Sequence, residues 1–420
     1  MTGRRFLARL ALDTSALRES SAFRRLCMGQ LISLVGRQVT VVAVPFQVYS
    51  LTHSSLAVGG LGLAQVGPLI TGSLVAGPVS DRFDRRRILL GTQLSLAACS
   101  GMLTVGAILG HPSLVILYAI VAVAAFVSAV DSPTRQAMIP GLVSAARLPG
   151  ALSVNIAFFQ TATVAGPAVG GLLIAGLGLP EAYGLDVAGF AAAVVVIMTL
   201  PAQRAEGARH EGPIAALGRG FAFVRHQPVI LGGFGMDLAA MVFGLPRAVF
   251  PALAVTTFHS GAVGLGLLYA APGAGAVVAA LTTGWLSRSS RLGRIIIVSF
   301  ATWGIAIIVL GFARALWLGL LMLLIAGAAD IVSEVCRTTI LQTVTPDALR
   351  GRVSSVSYMV VVGGPYVGDI EAGAVASAFG AEVSVVSGGV LSLIGLATAA
   401  IAFPAVWAYR REGVRDSERL

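Results

Sequence analysis

The sequence predicts an all-α membrane protein, with twelve transmembrane helices in two pseudo-symmetric six-helix bundles. Three observations carry this. First, 56% of the 420 residues are hydrophobic and only 11% are charged, where a soluble globular chain has about 25% charged residues. Too little polar surface remains to cover a water-soluble particle, which excludes a cytosolic enzyme, a disordered chain and a nucleic-acid-binding domain. Second, the apolar residues gather into stretches long enough to cross a ~30 Å hydrocarbon core as helices. Third, two short motifs recur about half a chain apart. The 51 glycines suit helices that pack closely in lipid.

Twelve stretches qualify as spans: 26–51, 56–80, 88–109, 113–134, 149–178, 182–201, 229–251, 262–286, 294–312, 315–337, 352–378 and 383–407. They are long and rich in Leu, Ala and Gly, without the alternation of barrel strands. All 29 basic residues are Arg, and 26 of them fall in segments on one side of this layout. The positive-inside rule then places both termini on the cytoplasmic side of the membrane, with the chain crossing it many times. Residues 1–25 carry six Arg and no continuous apolar core, so they do not read as a signal peptide.

The longest polar stretch, 202–228, divides the chain into residues 1–201 and 229–420, six spans each. Its residues 212–227 read either as an amphipathic helix on the inner surface or as a simple tether.

Several chemistries are excluded. Without Lys there is neither a Walker A phosphate loop nor a Schiff base. The five His and three Cys show no metal-ligand spacing. Neither a G-x-S-x-G elbow nor an H-E-x-x-H pair occurs, which argues against an enzyme. No metal or organic cofactor is implied.

The repeats sit at equivalent places in the two halves. GPVSDRFDRRR starts at Gly77 after span two, and GWLSRSSRLGR at Gly284 after span eight. Gly166-Pro167-Ala168-Val169-Gly170-Gly171 lies in span five, and Gly364-Pro365-Tyr366-Val367-Gly368-Asp369 in span eleven. Such duplication is the layout of a two-lobed transporter with its substrate path between the lobes.

These motifs resemble the major facilitator superfamily. The loop from Gly77 looks like its cytoplasmic loop signature, and GPAVGG like the core of its antiporter motif. VAVPFQVYSLTHSSLAVGG, SPTRQAMIPGLV, LLYAAPGAGAVVAALTTG and LQTVTPDALRGRVSSV resemble the bacterial enterobactin exporter branch, from about Phe23 to the last span. Asp84 replaces the usual loop Gly, Arg288 stands where the second loop would carry Asp, and Ala162 replaces an upstream Gly. The resemblance implies a multi-pass transporter in a bacterial inner membrane that exports a small amphipathic molecule, a siderophore, in exchange for protons; a monomer is expected. The same branch also resembles macrolide and multidrug exporters, so drug efflux is the alternative. A membrane sensor is the alternative of another class, and it would normally append a soluble domain.

Physical roles follow for the loop and for span five. Asp81 ends span two, where a carboxylate can face a helix N-terminus; the resemblance makes that partner span eleven. Arg82, Arg85 and Arg86 would lie by the inner headgroups, one of them pairing with Asp131. In span five, Gly166, Gly170 and Gly171 strip one face and Pro167 bends the helix, allowing a close backbone contact that seals the periplasmic half of the path.

A charge at the bilayer centre costs about 2.5–3.5 kcal/mol even on lenient scales, so charges within spans should face a cavity or a partner. Arg37 in span one and Asp237 in span seven are the most central. Arg37 suits an anionic substrate, or alternatively pairs with Asp237 or Asp369. Burial and a nearby Arg push a carboxylate's proton affinity in opposite directions, so a cavity acid can carry a proton. Asp237 is the first choice and Asp369 the second, with Glu371 beside it. Asp330, Glu334 and Arg337 read as an ion pair near the inner face, Arg247 as an outer gate, and Asp186 as a snorkelling interface residue.

Overall fold

The computed structural model describes residues 15–110, 112–203 and 213–411; the Arg-rich stretches before and after, and part of the central polar stretch, lie outside these. Among the described residues every regular element is helical. Twelve long helices run in chain order: α1 Ser21–Thr52, α2 Ser55–Arg82, α3 Arg85–Ile108, α4 Leu114–Met138, α5 Leu148–Gly176 and α6 Leu179–Met198 in the first bundle; α7 Pro228–Phe243, α8 Gly261–Thr282, α9 Leu292–Phe312, α10 Leu316–Val344, α11 Arg350–Phe379 and α12 Ala381–Ala402 in the second. Eleven of them are long and apolar enough to cross a membrane, α7 when taken together with the turns that continue it to Thr257. The twelfth, α11, has 30 residues but carries Arg350, Arg352, Asp369 and Glu371.

The starts are chemically marked. Ser20 and Ser54 side chains accept from the Phe23 and Ala57 N–H groups at 3.1 and 3.3 Å, capping α1 and α2. Asp84 caps α3 by accepting from Arg86 N–H at 3.0 Å and also holds Gln203 N–H at 3.1 Å. The residue that departs from the loop signature is therefore a helix cap.

Two spans differ from expectation. The seventh is not one continuous helix over 229–251. It stops at Phe243 and resumes after Pro246 as short turns that end in a wide π-helical turn, Leu253–Thr257. Proline cannot donate to the helix ladder. Trp303 repairs part of the break by donating from Nε1 to the Gly244 carbonyl at 3.0 Å. The tenth helix runs to Val344, past the expected end at 337.

Within the first bundle α1 packs on α5 and α6, α2 on α4, and α3 on α4 and α6; the second bundle repeats this with α7 on α12, α8 on α10, and α9 on α10 and α12. The bundles meet through α2 against α11 and α5 against α8. These contacts are glycine-lined and lie toward the end of the molecule away from both termini. A methyl group built on Gly171 of α5 would stand 2.5 Å from the Ala262 carbonyl oxygen of α8, and one on Gly373 of α11 would stand 2.6 Å from the Ser55 carbonyl oxygen of α2. Toward the terminal end, by contrast, Gly67 and Gly77 of α2 and Gly351 and Gly363 of α11 have no other atoms within 4 Å of that position. The bundles are thus pressed together at the far end.

A linker helix, Pro213–Val224, occupies most of the stretch read as surface helix or tether; residues 204–212 lie outside the described ones. It packs on α11, where Gly220 lies against the Arg352 backbone. Val224 is buried in a small cluster with Ile230, Leu341 and Val353.

Candidate functional site

Between the bundles lies a cavity of about 270 Å³. The first bundle supplies most of its wall through α1, α2, α3, α4 and α6; the second contributes Arg247, Ala248, Tyr269, Tyr366 and Asp369. Much of the wall is apolar, from side chains such as Val44, Val58, Leu61, Leu96, Ile120 and Phe190. Four charged side chains interrupt it: Arg37, Asp186, Arg247 and Asp369.

Arg247 and Asp369 neutralise each other. Arg247 donates to Asp369 Oδ2 at 2.8 Å, and its guanidinium lies 5.6 Å from the Tyr366 ring centroid. Gly59 and Gly62 of α2 press against the backbone carbonyls of Asp369 and Tyr366. This pair therefore sits beside the close contact of α2 with α11. Glu371 is partly exposed and does not line the cavity.

Arg37 pairs with neither Asp237 nor Asp369. It stays within its own bundle, with Nη2 3.9 Å from Asp131 Oδ2 and its side chain 32% exposed. Asp131 in turn does not pair with the loop arginines. One helical turn away, Arg135 reaches its Oδ2 at 3.1 Å, and Thr92 and Gln93 donate to its Oδ1 at 2.7 and 2.8 Å. The loop arginines cap helix ends instead: Arg85 donates to the Ala137 carbonyl at 2.7 Å and Arg86 to the Met198 carbonyl, at the C-terminal ends of α4 and α6. Cations are favoured there because the last carbonyls lack helical partners. The Arg82 guanidinium lies 5.9 Å from the Phe83 ring centroid, and Asp81 is exposed on the last turn of α2.

Asp237 is 1% exposed and lies outside the cavity lining. It forms an ion pair with Arg337, which also stands 3.6 Å from Asp330 and 5.3 Å over the Phe300 ring. The Asp330–Arg337 pair expected from spacing is present, and it is larger than expected because Asp237 joins it. A side cavity of about 60 Å³ opens beside this group, lined by Glu334, Arg337, Thr338 and Ser357 among others.

Asp186 is the main correction. It is 2% exposed and lies in the cavity wall, not at an interface. Its Oδ2 accepts from Thr40 Oγ1 of α1 and from Ser100 Oγ of α3, each at 2.7 Å. Gly36 leaves room for it: a methyl group there would stand 2.9 Å from Oδ1. α6 begins at Leu179, so Asp186 lies two turns in, roughly 10 Å along the axis. No spacing in the sequence joins it to those two hydroxyls, which lie 146 and 86 positions away.

The span-five motif is where the sequence places it. Gly166 lies against Gln38 and Gly170 against Val39 of α1, while Gly171 and the Pro167 carbonyl meet Gly266 of α8.

Two helical bundles around a shared cavity define a membrane transporter of the major facilitator type. The chain belongs to the transmembrane secretion effector family, whose model matches residues 14–412. It is 32% identical over 349 residues to the enterobactin exporter EntS of Citrobacter koseri, covering 82% of each chain, and 31% identical over 348 residues to that of Escherichia coli O81, again 82% of each. Its fold is similar to that of the nucleoside transporter NupG (TM-score 0.73, 14% identity, 92% of this chain and 98% of that one). It also resembles an inward-facing bacterial homologue of the lysosomal transporter Spinster (TM-score 0.72, 15% identity, 94% and 98%).

Proposed function

We propose that this protein exports a siderophore, a small amphipathic molecule, across the bacterial inner membrane in exchange for protons, as a monomer and without chemistry on its cargo. The observation that carries this reading is the cavity itself: largely apolar, lined by both bundles, beside glycine contacts that press the bundles together, and holding the loosely paired cation Arg37. Its relatives' names point the same way. With both termini cytoplasmic, the glycine-sealed end is the outer one and cargo loads from the inner side. Residues 1–201 rock against 229–420 around the cavity, and 202–228 tethers them.

Arg37 takes the anionic part of the cargo. Gly166, Pro167, Gly170 and Gly171 with their α8 and α1 neighbours form the outer seal, and Arg247–Asp369 closes the cavity floor beneath it. Asp81 with Gly77 and Arg82 locks the inner ends when the path faces out, while Arg85, Arg86 and Asp131 brace the helix ends around that lock. Protons act on Asp237 and Asp369: protonation frees Arg337 or Arg247 from its partner and so biases the packing of the second bundle. An inward proton gains about 2.3 kcal/mol per 100 mV, enough to support an outward gradient.

A strain lacking the gene, starved for iron, tests the substrate. Lower siderophore secretion supports the reading. Unchanged secretion with raised drug sensitivity favours multidrug or macrolide efflux instead, which the apolar wall also suits.

A further inference from the structure

We propose that Asp186 is the carboxylate at which a hydrogen-bond donor of the cargo and the counter-moving proton exclude each other. This rests on the transport reading and adds the local step that turns transport into exchange.

Four aspartates are buried or lie in the cavity wall near the middle of the spans, and three of them are held by arginines. Asp131 has Arg135, Asp237 has Arg337, and Asp369 has Arg247. Asp186 has no basic side chain within ion-pair distance among the described residues; its partners are the two hydroxyls, both on Oδ2. Its Oδ1 is buried and takes no hydrogen bond. Leaving a buried acceptor unpaired is costly, and two occupants that matter to transport can pair it. One is a proton on the acid itself, which leaves both hydroxyl bonds in place. The other is a donor arriving in the cavity, which needs the ionised carboxylate.

The charged and titratable neighbours fit this assignment. Arg37 of α1 follows Gly36, the residue against the Asp186 backbone and carboxyl. Tyr183, one turn earlier on α6, commits its hydroxyl to Gln47 at 2.8 Å. From α3 come Ser100 and the thiol of Cys99, which also lines the cavity. An acid and a cation therefore stand side by side on one wall. The cargo class they select carries a donor head, an ammonium or hydroxyl group, beside an acidic or acceptor group, on an apolar body. Thr40 and Ser100 act as positioning residues that aim the carboxyl from two helices.

Two ligands that exclude each other at one site are linked reciprocally, so acid must weaken cargo binding. The test uses purified full-length protein and radiolabelled iron-free enterobactin, with affinity measured at about pH 8 and about pH 5.5. Wild type should bind roughly tenfold or more weakly at the acid pH. Asp186→Asn should bind weakly with most of the pH dependence lost, and Asp186→Glu should restore it with a moved midpoint. A wild-type ratio in Asp186→Asn, or a pH-independent wild type, overturns the proposal. Should Asp186→Asn fail to fold, Thr40→Val with Ser100→Ala should move the midpoint, and an unmoved one overturns the proposal equally. If wild type binds no enterobactin at either pH, the substrate reading fails, and the same ratios measured with ethidium decide the proton site.

Discussion

Arg37 stands 3.9 Å from Asp131, whereas Arg135 holds the same carboxylate at 3.1 Å with Thr92 and Gln93 completing its shell. Asp131 is thus satisfied without Arg37, and the Arg37 side chain is left 32% exposed in the cavity wall. The second bundle carries the opposite charge at the matching place. Asp237, on its first helix, pairs with Arg337 on its fourth, as Arg37 on the first helix of its bundle reaches Asp131 on the fourth. The duplication kept the position of an ion pair and exchanged its signs.

The looseness of Arg37 yields a prediction. Arg37→Gln should fold normally yet bind an acidic cargo more weakly, because a hydrogen bond to a charged group contributes about 1.5–3 kcal/mol, roughly ten- to hundredfold in affinity. Binding of labelled enterobactin checks this; wild-type affinity in the variant would remove Arg37 from the site.

Arg135→Ala should behave in the opposite way. It strips a buried carboxylate of its main partner, and breaking a buried pair from one side costs about 3–5 kcal/mol. Thermal unfolding in detergent should drop well below that of Arg37→Gln. Equal melting of the two variants would contradict the geometry around Asp131.

Asp237→Asn should impair efflux driven by a pH gradient far more than exchange of labelled for unlabelled cargo, since the Arg337 pairing would no longer respond to protons. Proteoliposomes with and without an imposed gradient separate the two modes. Full gradient-driven activity in this variant would reject the role given to Asp237.

At the far end, Gly171→Val should damage transport while sparing insertion. The added atoms meet the Ala262 carbonyl and Gly266 across the bundle boundary, and overpacking costs about 1–3 kcal/mol. The closed outer contact would be the state destabilised, so proton leak into vesicles should rise; an unchanged leak and rate would mean that this contact does not seal the path.

Asp84→Ala tests the departure from the loop signature. Loss of an N-cap costs about 1 kcal/mol, and here the Gln203 N–H loses its acceptor as well. Melting in detergent should fall modestly, whereas a glycine-like gain in stability would exclude the capping role.

The sequence alone determined the spans, their even number and the glycine faces. Each is a local property: about twenty apolar residues satisfy the bilayer by themselves, and a face of Gly166, Gly170 and Gly171 has no use except close approach. The tertiary structure alone decided which charges meet. Thr40 and Asp186 are 146 positions apart and Arg247 and Asp369 are 122 apart, so no spacing rule could join them, and Asp186 was misread for that reason. Partner choice for a buried charge is set by which helices become neighbours, and the break after Phe243, past which Arg247 meets Asp369, is partly repaired by Trp303 from another helix.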